Sequence, residues 1–272
     1  MILTDYLING QNLTGEHASL IIGTTHFTSI SPRINSVTVN GRSGVMLPAG
    51  PLAFDAPEIT LKFITNGPDA DTLMHRFYRL CRLASSLTRM ERDTSTGLTR
   101  RMTASAVCTS CQPDGDEIPW SNHRAATAVF QLPDVYWQGD WQTASLPAAG
   151  GVFLYGKART GSEGWYSNAP LLNLILRFSN VSSVTVTDPV TGTDIKWSGG
   201  NASNLYLDVC NRHAWTAGNT TSWSGGSDAT AGIDWTSEPL QVWPSADSGS
   251  YTIQVKQSGT SAVTCRFKPS WE

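Results

Sequence analysis

The stretch that decides the fold is Glu58-Ile59-Thr60-Leu61-Lys62-Phe63-Ile64, then Asn66-Gly67-Pro68, then Asp69–Met90 (DADTLMHRFYRLCRLASSLTRM). The first seven residues alternate apolar and polar, the signature of a strand with one buried face. Asn66-Gly67-Pro68 breaks that strand, and Asp69 supplies N-cap chemistry for a helix. Over 69–90, Leu73, Phe77, Leu80, Ala84 and Leu87 recur at steps of four and three. At about 100° per residue they fall within a stripe of roughly 80°. One long helix over 69–90, buried by that stripe against a sheet, is the expectation.

On either side the pattern is β. Before it come Ser19–Ile22 and Ser36–Val39, the latter closed by the turn chemistry of Asn40-Gly41-Arg42-Ser43-Gly44. After it come Met102–Val107 and Ala126–Leu132. Past Pro133-Asp134-Val135-Tyr136-Trp137 the composition changes, and Ala144–Gly151 (ASLPAAGG) reads as a linker. The division expected is 1–143 and 144–272. The second part shows only short alternating runs: Leu171–Phe178, Ser183–Thr187, Asp194–Trp197, Leu205–Val209, Leu240–Trp243, Tyr251–Lys256 and Ala262–Lys268. Asp188–Gly192 and Ser258-Gly259-Thr260 read as hairpin turns, and Val263, Cys265 and Phe267 as inward residues of the last strand. The class is mainly β, with an α+β first half and a sandwich behind it.

Composition limits the functions available. At 272 residues two domains are favoured. Only 15% of residues are charged, below the usual quarter, so neighbouring copies of the surface repel one another weakly. A net charge of -3 and a pI near 5.9 argue against sequence-specific nucleic-acid binding. The aliphatic run at Leu171–Leu176 is interrupted by Asn173 and falls well short of the ~20 apolar residues of a membrane span. Met1–Gly10 lacks a secretory pattern, so the chain is expected to start near Met1 and its five cysteines to be reduced.

Signatures of phosphate cradles, dinucleotide folds, nucleophile elbows and HExxH metal sites are absent, which points away from an enzyme and gives no cofactor. Cys108-x-x-Cys111 with Cys210-x-x-His213 has zinc-like spacing, but one pair falls in each half, and small buried thiols are the plainer reading. Asp114-Gly115-Asp116-Glu117 reads as a solvated acidic loop. No metal is expected.

Arg76, Arg79, Arg82, Arg89 and Arg92, with Arg100 and Arg101 beyond, occupy a segment free of lysine. Guanidinium groups pair with carboxylates in two-pronged fashion and desolvate more easily than ammonium groups. A solvated helix face and a subunit interface or channel surface are the two main readings, with a nucleic-acid groove third. Trp215, Trp223 and Trp235 fall in an aperiodic Gly/Ser/Thr-rich stretch read as a long surface loop, where indoles could contact a glycan or a partner's pocket.

The order of segments resembles the distal tail (Dit) protein family of long-tailed, siphovirus-type phages, in particular minor tail proteins of phages infecting actinobacteria. Gly41–Gly44 after a strand, Glu58–Phe63, the helix, a hairpin and Phe130-Gln131-Leu132-Pro133-Asp134-Val135-Tyr136-Trp137 carry it in the first half. Thr191–Trp197, Leu205-Tyr206-Leu207-Asp208 and Arg266-Phe267-Lys268-Pro269-Ser270-Trp271 carry it in the second. The resemblance implies a split β-barrel-like first domain that builds a ring of six copies, and a galectin-like β-sandwich turned outward. It implies a baseplate role joining the tail tube to the tail-tip hub, with the tape-measure protein as a further partner. The virion tail tip is then the location, after assembly in the host bacterial cytoplasm. The alternative function is a carbohydrate-binding module that touches host cell-wall glycan.

Overall fold

A computed structural model describes residues 2–26, 28–33, 43, 53–97, 99–114, 122–146, 151–152, 167–236, 240–246 and 251–272. The strand expected at Ser36–Val39 and the turn at Asn40–Gly44, apart from Ser43, lie outside the described residues, as do 115–117 of the acidic loop and 147–150 of the linker. The chain forms two compact units, Met1–Trp137 with Glu272, and Gln138–Trp271. Among the described residues no helix is long and apolar enough to cross a membrane.

Among the described residues the first unit carries two larger antiparallel sheets, besides the two-stranded pairing of Pro32–Arg33 with Ala53–Phe54. Strands β1 (Ile2–Ile8), β2 (Gln11–Asn12), β3 (Ala18–Leu20) and β4 (Glu58–Asn66) precede the helix α1 (Ala70–Arg82). After it come β5 (Ser86–Asp93), β6 (Thr99–Ser105), β7 (Val107–Pro113) and β8 (His123–Gln131). One sheet contains the order β2-β1-β5-β6 and the other is β3-β4-β8-β7. β4 alternates as its sequence demands, with Ile59, Leu61, Phe63 and Thr65 buried. Helix α1 lies on β4, β8 and β7, and the Phe77 ring stacks on Phe63 at 4.3 Å.

The helix is shorter than expected. It ends at Arg82, and Leu87, Arg89 and Arg92 belong to β5 instead. Asn9, in the left-handed region at φ 51°, explains the stop. Its Nδ2 donates to the Leu83 carbonyl at 2.7 Å, while its Oδ1 accepts from the Ser85 and Ser86 amides at 2.9 and 3.1 Å. This clamp delivers the chain into the β1–β5 ladder, where Leu87 faces Ile8. The step from Ala84 to Leu87 that mimicked another helical turn is therefore a turn followed by an inward strand position. The buried stripe is Ala70, Met74, Phe77 and Cys81, with Leu73 and Leu80 only half-buried, so the face is rotated by about one residue from the expected one.

In the second unit most of the described strands join one antiparallel sheet. Besides the short Gly151–Val152, which pairs with Gln254–Val255, its strands are β9 (Gln142–Leu146), β10 (Leu174–Thr187), β11 (Asp194–Asp208), β12 (His213–Thr216), β13 (Ser227–Asp228), β14 (Gln254–Gln257) and β15 (Val263–Phe267). The order is β9-β15-β10-β11-β12-β13, with β14 also paired to β10. Two pairs of expected short strands are each one long strand. Leu171–Phe178 and Ser183–Thr187 supply the two ends of β10, and Asp194–Trp197 and Leu205–Val209 those of β11. Between them lie Asn180 at φ 53° and the exposed Gly199-Gly200-Asn201, which interrupt the apolar alternation while the backbone ladder runs on with a bulge near Val181.

Further differences follow from pairing. Ala144–Leu146, expected in a linker, lies in β9 opposite Val263–Cys265. Ser258-Gly259-Thr260 is no hairpin. β14 pairs with Val184–Thr187 and β15 with Leu174–Arg177, so both run along the same edge of β10 and the Ser258 turn is a break between them. The Ser258 hydroxyl accepts from the Ser182 and Ser183 amides at 2.8 and 3.1 Å, fitting that break to the bulge. Asp188–Gly192 does close a hairpin between β10 and β11, and Val263, Cys265 and Phe267 are buried as expected. Leu176, Phe178, Val184, Trp197, Leu207 and Tyr251 are among the residues of a single core cluster.

Candidate interaction surfaces

The arginine segment divides when it folds. Arg89, on β5, is 2% exposed and ion-paired through Nη2 with Glu91 Oε1. Glu91 is as deeply buried and also accepts from Arg100, which faces it across the β5–β6 ladder, Nε lying 3.1 Å from Oε2. Arg89 is thus an internal ion-pair residue, because it sits on a strand and not on the helix expected over 69–90. Arg76 Nη2 donates to the Asn12 carbonyl at 3.2 Å, bracing the helix against the β2 turn. Arg79 and Arg82 are exposed in the last helical turn, where positive charge offsets the partial negative charge of the helix end. Arg92 is exposed on β5 opposite Leu3. Three of the five arginines therefore present surface charge, and they do so from two elements.

The same unit exposes apolar side chains. Ile22 is 98% exposed, Leu83 72% and Val107 52%, and Ile2 and Leu3 are about half exposed at the start of β1. Among the described residues β7 is an edge strand, paired only to β8. An edge with unpaired backbone groups and apolar neighbours is a template for another chain.

The three tryptophans also separate. Trp215 lies on β12, 4% exposed, its ring stacked on Tyr206 at 5.5 Å and its Nε1 donating to the Ser222 carbonyl at 2.8 Å. Trp223 meets Tyr206 edge-on at 5.3 Å. Both indoles pack the stretch onto the sheet, which makes it part of the fold. Trp235 is 57% exposed, with the Arg212 guanidinium 4.6 Å from its ring centre.

Sequence reasoning missed a groove of about 680 Å³ whose lining includes Trp197, Gly199, Asn201, Ser203, Ser227 and Gly232. Small residues open it. A Cβ on Gly232 would stand 2.5 Å from Trp197 Nε1, and one on Gly226 would stand 2.3 Å from the Thr216 carbonyl oxygen. The recurring glycines at 199, 200, 218 and 232 were the signal. The described residues that line it are small, polar or aromatic, none of them with an ionisable side chain. Among the described residues no cluster of His, Cys, Asp or Glu could hold a metal. Each half of the zinc-like spacing has partners in its own unit: Cys108 and Cys111 pack beside Cys81, while Cys210 Sγ donates to the Leu171 carbonyl at 3.2 Å. Asp114 accepts from Thr127 Oγ1 at 2.7 Å.

No protein-family model and no curated protein sequence matches this chain. Among solved structures it is similar to the SPP1 Dit (gp 19.1) protein, described as a paradigm of the hub adsorption apparatus in phages infecting Gram-positive bacteria. The TM-score is 0.61 at 14% identity, and the match covers 99% of this chain and 100% of that one. The chain shares the fold of the SPP1 Dit protein across that match. Two structures of the phage p2 baseplate in its activated conformation, with Ca and with Sr, give TM-scores of 0.42 and 0.39 at 10% and 12% identity, covering 98% of each chain.

Proposed function

We propose that this chain is a structural distal tail protein of a long-tailed phage, one whose host is an actinobacterium. Six copies form a ring at the tail tip through the first unit, joining the tail tube and tape-measure protein to the hub, and the second unit faces outward. The reading makes it a virion protein assembled in the host cytoplasm, without catalytic residues. The observation that carries it is the fold likeness to SPP1 Dit, end to end in both chains. The first unit supports it locally: edge strand β7, exposed Leu83 and Val107, and the surface guanidinium groups of Arg79 and Arg82 suit a face buried between copies, and Arg92 adds a surface charge on β5. Light scattering of the purified protein, alone and with neighbouring tail proteins, tests it. A mass near six times the 29.4 kDa chain is expected. A monomer under every condition overturns the ring.

A second reading, glycan contact by the second unit, is favoured by Trp235 alone, since Trp215 and Trp223 are engaged with Tyr206. Retention of residues 138–272 on host cell wall, reduced severalfold by Trp235→Ala, is the expected result. Equal retention of the two proteins removes that indole from the account.

A further inference from the structure

Three of the five cysteines meet at one place in the first unit. Cys81 lies in the last turn of α1 and is 2% exposed. Cys108 and Cys111 lie on β7, where residues three apart would ordinarily point to opposite faces. The β7–β8 ladder slips here. Ser110 pairs with Val129 and Cys108 with Phe130, leaving Thr109 as the extra residue of a bulge. Cys108 and Cys111 consequently share the face of Phe130 and Ala128, the face against which α1 packs. The Cys81 thiol lies beside those of Cys111 and Cys108.

The thiols open into a concavity of about 590 Å³, lined besides them by His75, Tyr78, Arg79 and Arg82. Exposed guanidinium groups beside a thiol favour its thiolate and draw in anionic thiol reagents. The three sulfurs are not equivalent. The neighbouring Cys81 thiol holds the Cys111 thiol below its ordinary range, whereas Cys81 is held well above it by Cys111 and by burial. Cys81 also sits at the negative end of the helix, where an anion is disfavoured. Burial, and next the charge of Cys111, push the Cys108 thiol up.

We propose that Cys111 and Cys81 are a redox couple that closes to a disulfide by exchange with a small disulfide such as oxidised glutathione. The Cys111 thiolate attacks one sulfur of that reagent, forming a mixed disulfide and releasing one glutathione thiolate. Cys81, giving its proton to the released thiolate, attacks the Cys111 sulfur and expels the second glutathione, which takes a proton from solvent. Two protein thiols lose two electrons in all, and one disulfide becomes two thiols. The bond would tie the last helical turn to edge strand β7, beside exposed Leu83 and Val107. It requires only the first unit's geometry and stands whether or not the chain forms a ring.

The test uses the full native chain, incubated with oxidised glutathione, freed of the reagent, and only then unfolded and alkylated with N-ethylmaleimide, so that buried Cys265 also reacts. Mass spectrometry is expected to count three alkylated cysteines where the reduced protein gives five, with the Cys81 and Cys111 peptides joined until dithiothreitol is added. The thermal midpoint should rise on oxidation and return on reduction. Cys108→Ser should oxidise as the parent does, and Cys111→Ser, shown folded by an unchanged melting curve, should keep all four remaining thiols alkylatable. Five alkylated cysteines after oxidation, a glutathione adduct that never resolves, a bond that uses Cys108, or a cross-link formed only in denaturant would each overturn the proposal.

Discussion

Glu91 holds two guanidinium groups at a place almost closed to water, with Arg89 beside it on the same strand and Arg100 across the ladder. Replacing it by Ala leaves two buried cations without their common anion, and breaking a buried pair from one side costs about 3–5 kcal/mol. Urea unfolding of Glu91→Ala should show a loss of that order. A loss below about 1 kcal/mol would contradict the buried triad. Asp93, at the end of the same strand, accepts from the Ser95 hydroxyl and amide and from the Thr96 hydroxyl. These bonds lower its pKa from 3.8 to about 2. A carboxylate more acidic folded than unfolded stabilises its turn above the unfolded value and loses that effect as pH falls through the folded one. Protection of the Ser95 amide from hydrogen exchange should therefore decline between about pH 4 and pH 2, and Asp93→Asn should abolish that dependence. The arginine-rich composition of this segment was legible in the sequence. The burial of Arg89 was not, because it depends on Glu91 and Arg100 arriving beside it through strand pairing.

Helix α1 was legible in the place of its start and in the inward position of Phe77, since Asn66-Gly67-Pro68 ends β4, although Asp69 at the N-cap position makes no side-chain capping bond and Met74 and Cys81, not Leu73 and Leu80, complete the buried face. Its end was not. Ser85 and Ser86 are drawn into a turn by Asn9, a residue more than seventy positions earlier, and no local propensity encodes that bond. Two measurements follow. Asn9→Ala, which removes the bonds to the Leu83 carbonyl and from the Ser85 and Ser86 amides, should speed amide exchange at Ser85 and Ser86, and unchanged exchange there would contradict the clamp. Phe77→Ala should cost about 3–5 kcal/mol, and Leu73→Ala, at a half-buried position, clearly less; equal costs would restore the stripe centred on Leu73. β1 was missed because both of its alternating sets contain apolar residues, Leu3 and Leu7 on one and Ile2, Tyr6 and Ile8 on the other, so no single face is marked. In the second unit the apolar runs were legible while the polar centres of β10 and β11 hid their continuity, since backbone pairing does not require an apolar side chain. The groove beside Trp197 rests on glycines at points of close approach. Gly232→Ala should disturb the Trp197 bond to the Ala229 carbonyl, 2.8 Å long, and destabilise the unit by about 1–3 kcal/mol in thermal or urea unfolding.

For the whole molecule, the segment order suggested a distal tail protein, and the fold it adopts matches one solved example from end to end. What the folded chain adds is a distinction between surfaces. The first unit presents an edge strand, exposed aliphatic side chains and surface arginines, and the second presents a glycine-lined groove and the exposed indoles of Trp141 and Trp235. Such a division suits a protein whose first unit packs against copies of itself while its second meets other partners. Interfaces between copies are written in complementarity across subunits, which one chain's periodicity does not reveal, and so the ring stands as a proposal about surfaces. Electron microscopy of the purified protein, classified without imposed symmetry, tests it most directly. The account predicts end-on averages with six repeats around an open centre and the second units projecting at the rim. Isolated particles of single-chain size, in the presence of tail tube and hub proteins as well as alone, would contradict it.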